Sequence, residues 1–506
     1  MNAPTATRLA TGRGLALLLL GNALAWWLSA VISNGNLDGY GDMLESYAWG
    51  QQWVWSTFKH PPFTGWYAAL WFSVIPRTDA AYYLLSCLNV AIAVWGVTWL
   101  AKEWLDARQR WLAALFLLWA LPYSTLAFKF NVNTSLLLLW PWMSWCFIRS
   151  LKHHEWPATI GLAVLGVLAI MAKYFSGVLL LSFFIAALCS VSGRRWLRTP
   201  HPYVAGLLFL IGMIPHAHWL MSNDYATLKY VGDQGDGHID FGHLSRFFFA
   251  PIGYWGIGWI AALATCYEGP WWRRVARSVR INGTDDPLFF LAILPWMITL
   301  LFGLSGLVDL SLPWAIPIGF AYSILWLRNA DAPHKLDAAV TRFGKALPYY
   351  FVAVILLGGF LYAGLQIRKQ SENYYLPRKE VTAEIMARWQ QRHPDLKLGW
   401  VGGQWQENAL LPFYGDASII ALPNVPDEFP ATTIQLSGWE KMGGAFLCAD
   451  GPADRPEGAS ACRRPVEEWL RKHDRPFAGE AIVLQRKGWR YPNAPAWRYW
   501  VYWYVP

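Results

Sequence analysis

Asp42, Glu45 and Trp49 carry the first candidate chemistry in this chain. They stand at i, i+3 and i+7, on one face of a helix if the segment is helical. A carboxylate there, beside aromatic rings, can act as general base on a hydroxyl when partial burial raises its affinity for protons. The same spacing fits a plainer role, in which Asp38 and Asp42 cap a short helix and Glu45 lies on a solvated face. Downstream, Lys59-His60-Pro61-Pro62 marks an extended segment entering a helix, because proline suits a first turn and restricts its predecessor. A His at such a junction either holds a phosphate or is a satisfied polar group.

Further along, Lys129-Phe-Asn131-Val-Asn133-Thr134 precedes an apolar run. Asn131 and Asn133 either hydrogen-bond a sugar or cap the next helix. Lys173-Tyr174 places a lone cation between two hydrophobic helices, where it snorkels to the boundary or binds a lipid phosphate. Segment 222–249 carries Asp224, Lys229, Tyr230, Asp233, Asp236, His238, Asp240, His243 and Arg246 and is Gly-rich, which suits a loop over a site. Its Asp and His residues have no diagnostic metal spacing. No CxxC, HExxH, Walker loop or GxGxxG occurs, so nucleotide chemistry has no visible home.

These groups sit among runs that belong in a bilayer. Of 506 residues 55% are hydrophobic and only 15% charged, against about 25% charged in soluble chains. Up to about residue 365 the apolar residues form runs of 16 to 20, long enough or nearly so to cross about 30 Å of hydrocarbon. The 34 Trp and 23 Tyr suit the membrane interface. The expected fold is a polytopic α-helical membrane protein with about eleven spans: 15–32, 80–100, 111–127, 133–149, 158–172, 175–191, 203–221, 250–267, 287–306, 311–327 and 347–365. With the N-terminus in the cytoplasm, 18 Lys/Arg fall inside and 6 outside, as the positive-inside rule requires. Crossing by residues 61–76 would invert every later loop, so they are expected as a helix at the outer interface. The net charge of +9 is then topology and anionic lipid rather than a nucleic-acid footprint.

The transmembrane domain, 1–365, is followed by a polar tail, 366–506, expected outside the membrane as a small α/β domain. Residues 378–393, between Pro377 and Pro394, read as a helix. Segments 396–403, 417–423, 481–487 and 497–505 read as strands. Cys448 and Cys462 flank a turn-rich loop in this outer tail and are expected to form a disulfide. Cys87, Cys146, Cys189 and Cys266 lie in or beside spans and read as inert thiols.

The stretch Asp42…Glu45…Trp49-Gly-Gln51, followed by Lys59-His60-Pro61-Pro62, resembles the first periplasmic loop of GT-C fold membrane glycosyltransferases. The relevant branch contains the protein O-mannosyltransferases and the bacterial 4-amino-arabinose lipid A transferase. The polar motif before a helix reaching Trp140, Ala172-Lys173-Tyr174 between helices, and the C-terminal outer domain follow in the same order. The resemblance implies an inverting transfer at the outer face of a bacterial cytoplasmic membrane. A polyprenyl-phosphate donor would give its sugar to a hydroxyl on lipid A or another envelope lipid or glycan. It implies Asp42 as general base and His60, with Lys59, as donor-phosphate ligands. Glu45, Asn133, Lys173, Tyr174 and Arg246 are the further substrate-binding candidates. The sequence departs from the family at two positions. Met43 stands where a Glu usually follows the base, and Asn133 aligns with the usual second-loop acid. No metal ligand is therefore assigned, and a divalent ion is left optional.

Two alternatives have the same general shape. A transporter or channel would place ionisable groups at mid-membrane and often repeat itself internally. Here the acids lie in outer loops and no repeat is visible. A polymerase or ligase of lipid-linked glycans would share the architecture and differ only in reaction.

Overall fold

The computed structural model describes residues 9–232, 238–283, 285–330, 332–368, 372–426, 438–453, 459–487 and 494–506. The chain forms two compact units. One comprises residues 1–27, 58–63 and 84–355, the other 28–57, 64–83 and 356–506.

The first unit is helical. Sequence-local caps start its helices. Asp106 accepts from the backbone N–H of Gln109, whose side chain answers at the N-cap, opening Ala107–Leu118. Asn131 and Thr134 make the same reciprocal pair at Val132–His153. The core is aromatic: Trp111, Trp140 and Trp255 are fully buried, and Phe147 stacks on Phe183 with centroids 4.2 Å apart. A buried ion pair between Arg328 and Asp286, 2.6 Å, is completed by backbone groups of Asn282 and Arg280.

Among the described residues, five helices are long and apolar enough to cross a membrane: Gly12–Ser33, Asp79–Glu103, His201–Met221, Phe241–Cys266 and Pro333–Gly364. They coincide with five of the eleven expected spans. Of the other apolar runs, 133–149 lies in the single 22-residue helix Val132–His153, and the rest are helical but short or broken. Trp156–Ala172 has 17 residues, about 25 Å at 1.5 Å per residue. Residues 111–127 fall on a pair of helices bent by 89°. Residues 311–327 divide into Leu312–Ala315, Ile318–Ala321 and Tyr322–Arg328 around Pro313, Pro317 and Gly319. Hydropathy reports the apolar run and is blind to the break. Residues 61–76 form the 10-residue helix Phe63–Phe72, about 15 Å long and too short to cross.

In the second unit the tail builds a five-stranded sheet in the order β2-β1-β3-β5-β4. The strands are β1 (Leu398–Gly403), β2 (Ile420–Ala421), β3 (Gly443–Pro452), β4 (Glu480–Leu484) and β5 (Trp497–Tyr504). β1 runs parallel to β2 and β3, and β5 runs antiparallel to β3 and β4. Helix Arg378–Arg392 sets Trp389 against Gly443, where a Cβ would meet the indole at 2.3 Å. Helix Ala459–Lys472 sets Trp469 against Phe446, ring centroids 5.3 Å apart. Side chains alternate along a strand, so these helices cover opposite faces.

Cys448 in β3 and Cys462 in the second helix are disulfide-bonded, with Cα atoms 5.7 Å apart. Loop-closure entropy for a crosslink of this length is about 3 kcal/mol. Replacing both cysteines with serine should lower the tail's unfolding free energy by about 2–3 kcal/mol, read by denaturant titration of full-length protein. Activity at low temperature should be unchanged.

Candidate functional site

The helix Asp42–Gly50 is capped from upstream of its first residue. Asp38 Oδ2 accepts from the backbone N–H of Asp42 at 3.0 Å, and Asp38 Oδ1 from that of Met43 at 2.9 Å. Asp38 is therefore the cap that orphan amides at a helix start require, and Asp42 is not. Gly41 precedes the helix at φ 75°, a left-handed turn that glycine adopts without cost. Met43 through Gly50 are buried, and Asp42 at their head is partly exposed. At Gly50, a Cβ would meet the carbonyl oxygen of Gly65 at 2.2 Å, so this helix packs backbone to backbone on Phe63–Phe72. Tyr82 donates its hydroxyl to the Met43 carbonyl at 2.6 Å.

The tail grips the same segment. Arg378, 1% exposed, donates to the Asp38 carbonyl at 3.1 Å. Asn36 donates to the carbonyls of Asn373 and Leu376, and Asn373 returns a bond to that of Leu37. Trp405, just past β1, donates its indole N–H to Glu45 at 2.6 Å and stacks on Trp49 with centroids 6.4 Å apart. Glu45 is buried, so the solvated-face reading is corrected: this carboxylate fixes a tryptophan one turn from Asp42. Trp405→Phe keeps the stack and removes the donor. Losing this bond to a buried carboxylate costs about 1–3 kcal/mol, so a Tm drop with little change in donor KM is expected.

A second group lies in the other unit. His60 stands at the Pro61-Pro62 junction, its ring edge-on to Tyr230 with centroids 5.8 Å apart. Burial, then the charges of Lys173 and Lys59, push its proton affinity well below the ordinary histidine range. The neutral form of the ring is thereby favoured. Lys173 follows the end of helix Trp156–Ala172 and donates to Asn133 Oδ1 at 2.7 Å. Its ammonium also lies 4.7 Å from the Trp314 ring. Asn131 is the helix cap, accepting from the N–H groups of Asn133 and Thr134, which leaves the Asn133 side chain to orient the lysine. Tyr174 hydrogen-bonds buried His216 at 2.7 Å.

Lys59, His60, Asn133 and Lys173 are thus linked within one unit by charge or by direct bonds, and Tyr174, bonded to His216, lies in the same unit. Arg246 is exposed and donates to its own helix at the Gly242 carbonyl. Asp240 caps that helix through the His243 N–H, and this bond holds its carboxyl below the usual range. Asp233 and Asp236 lie outside the described residues. Among the described residues no three His, Cys, Asp or Glu side chains gather to hold a metal. Trp405, Arg378, His216 and Trp314 were missed from sequence, and Tyr230 was singled out only as part of the 222–249 loop. Three of the four are aromatic or His residues in a chain crowded with rings, and nothing in their spacing sets them apart.

Residues 59–219 match the family model described as dolichyl-phosphate-mannose-protein mannosyltransferase. That segment contains Lys59, His60, Asn133, Lys173 and Tyr174, while Asp42 and Glu45 precede it. No curated protein matches the chain at a significant level. Among solved structures, ArnT from Cupriavidus metallidurans bound to undecaprenyl phosphate superposes with TM-score 0.59 at 14% identity, covering 98% of this chain and 99% of that one. The apo form of the same protein gives TM-score 0.56 at 14% identity, with 97% and 98% coverage. The chain therefore has the GT-C fold that its first outer segment resembles, shared along its whole length with ArnT, and carries the mannosyltransferase pattern over residues 59–219.

Proposed function

We propose that this protein transfers a sugar from a polyprenyl-phosphate donor to an acceptor hydroxyl on an envelope lipid or glycan. The observation that carries this reading is the grouping of Lys59, His60, Lys173 and Asn133 within the family-matched segment. Two ammonium groups, one of them aimed by an amide oxygen, and a neutral imidazole N–H form a phosphate ligand set. ArnT, with the same fold, is a protein solved with undecaprenyl phosphate bound.

In this reading the acceptor hydroxyl gives its proton to the Asp42 carboxylate as its oxygen bonds the anomeric carbon. The bond from that carbon to the phosphate oxygen breaks, and the electron pair leaves on the prenyl phosphate. Lys173 and Lys59 meet the growing negative charge, and His60 donates to it. A single displacement inverts the anomeric centre. Glu45 acts through Trp405 and Tyr174 through His216, so both are positioning residues. Arg246, bonded to its own helix, is assigned only a peripheral contact with the donor headgroup. The bilayer holds the donor by its prenyl chain, which explains the lack of a nucleotide-binding motif.

The N-terminus is assigned to the cytoplasm and the domain 366–506 to the outer side of a bacterial cytoplasmic membrane. Cysteines introduced at 240 and 441 should react with an impermeant thiol reagent from outside, and those at 273–280 only after the cytoplasmic side is opened. External labelling of 273–280 would overturn this orientation. The acceptor is identified by mass spectrometry of envelope lipids and glycans from cells with and without the protein. A glycoconjugate that lacks one sugar residue only in its absence supports the function. Identical profiles under conditions where the protein is made oppose it.

A further inference from the structure

Away from these groups, the first unit contains an apolar pocket of about 660 Å³, within the 300–1,000 Å³ usual for ligand sites. Leu15, Leu19 and Leu20 of helix Gly12–Ser33 form one wall, and Ala91, Ile92 and Trp95 of helix Asp79–Leu100 the other. Leu20 is 61% exposed and Trp95 46%, so the rim is apolar and open to the side, where lipid chains lie around a membrane helix. The end marked by Thr11 and Gly12 is different. There Lys102, Arg110 and Trp99 line the pocket, with the Lys102 ammonium 3.1 Å from the Trp99 ring centroid.

The neighbouring acids do not neutralise these cations. Glu103 is paired with Arg149, Lys152 and His153, and Asp106 with Arg108 while capping its helix. Among the described residues neither Lys102 nor Arg110 has a carboxylate partner. An apolar groove with two cations at one end matches a fatty-acyl chain ending in a phosphate. Inside a bilayer the groove itself gains little, because surrounding lipid tails are equally apolar. Selection must come from the headgroup, and basic pockets between membrane helices are known to take anionic headgroups.

We propose that this pocket is a binding site for an anionic glycerophospholipid, with its phosphate at Lys102 and Arg110 and an acyl chain along the groove. The two cations lie on the side where positive charge concentrates, which the orientation above assigns to the cytoplasmic leaflet. The site uses no residue of the proposed transfer chemistry and stands whether or not that chemistry is correct.

The test is native mass spectrometry of full-length protein in a neutral detergent, titrated with phosphatidylglycerol, phosphatidylcholine or a polyprenyl monophosphate. Wild-type protein is expected to retain one phosphatidylglycerol with an affinity on the order of tenfold above phosphatidylcholine. Lys102→Gln/Arg110→Gln should erase that preference while leaving the Tm in phosphatidylcholine unchanged. Equal retention of the two phospholipids by wild-type protein would overturn the site without recourse to any variant. So would a preference that survives in a folded double variant, or a loss of polyprenyl monophosphate in that variant as large as its loss of phosphatidylglycerol.

Discussion

Asp42→Asn protein is expected to fold, bind the lipid donor with unchanged affinity, and transfer sugar about 10²–10⁴-fold more slowly. The size follows from the chemistry. An acceptor hydroxyl is a poor nucleophile until its proton has somewhere to go, and a positioned carboxylate supplies the place. The substitution is close to isosteric, and it leaves the backbone contacts at the helix start in place. The cap is Asp38, the Ser46 hydroxyl bonds the Asp42 backbone carbonyl rather than its side chain, and Tyr82 holds the next residue by its carbonyl. Asp38→Asn keeps a capping oxygen and should be mild. Asp38→Ala removes it and should cost about 1 kcal/mol of helix stability, with rate falling only as the helix loosens. Steady-state transfer by detergent-purified variants of matched Tm separates these outcomes. Near wild-type turnover by Asp42→Asn would return the search for a base to other acids.

Lys173→Ala should raise the KM for the lipid donor by about 10–100-fold, from the loss of a charge-assisted contact worth about 1.5–3 kcal/mol. Asn133 would lose its partner, so Asn133→Ala should reproduce a smaller part of the same defect by freeing the lysine. His60→Ala should be weaker, because a neutral ring offers one hydrogen bond and no charge. The sign of the pH dependence tests that state. A histidine charged at pH 6 and neutral at pH 8 would make donor KM rise as pH rises through about 6.5. Burial and the two lysines have moved the His60 transition well below that value, so wild-type and His60→Gln proteins should share a flat donor KM between pH 6.5 and 8. If Lys173→Ala and His60→Ala both leave donor KM and turnover unchanged, the phosphate is held elsewhere.

How far this site was legible depends on the range of the signal. Local chemistry could be read directly: Pro377 before helix Arg378–Arg392, the aromatic strand at Trp497–Tyr504, and cysteines in a turn-rich tail all left marks in the sequence. Alternatives that local spacing could not decide were decided by hydrogen bonds. Asp38 rather than Asp42 caps, and Asn131 rather than Asn133. Long-range pairings left no mark at all. The hold of Arg378 and Trp405 on residues 38 and 45 spans more than 300 positions and rests on residue types common throughout the chain. The central strand β3 was hidden because it opens with Gly443-Gly444, which propensity counts against a strand. Both glycines are required, since a Cβ would strike Trp389 at one and Trp400 at the other. Where an expected span is not one long helix, the reason is the opposite: apolar composition persists past the prolines and short 3₁₀ segments that end the helix.

The most direct test of the central claim is a stoichiometric transfer assay with purified protein in liposomes. A polyprenyl-phosphate sugar labelled in the sugar is supplied with an envelope lipid extract, and free polyprenyl phosphate and labelled acceptor are both measured by mass spectrometry. One prenyl phosphate released for each sugar found on acceptor, with the anomeric configuration inverted and the reaction abolished by Asp42→Asn, is the expected result. Donor left intact with every acceptor fraction, by folded protein that binds it, would contradict the account.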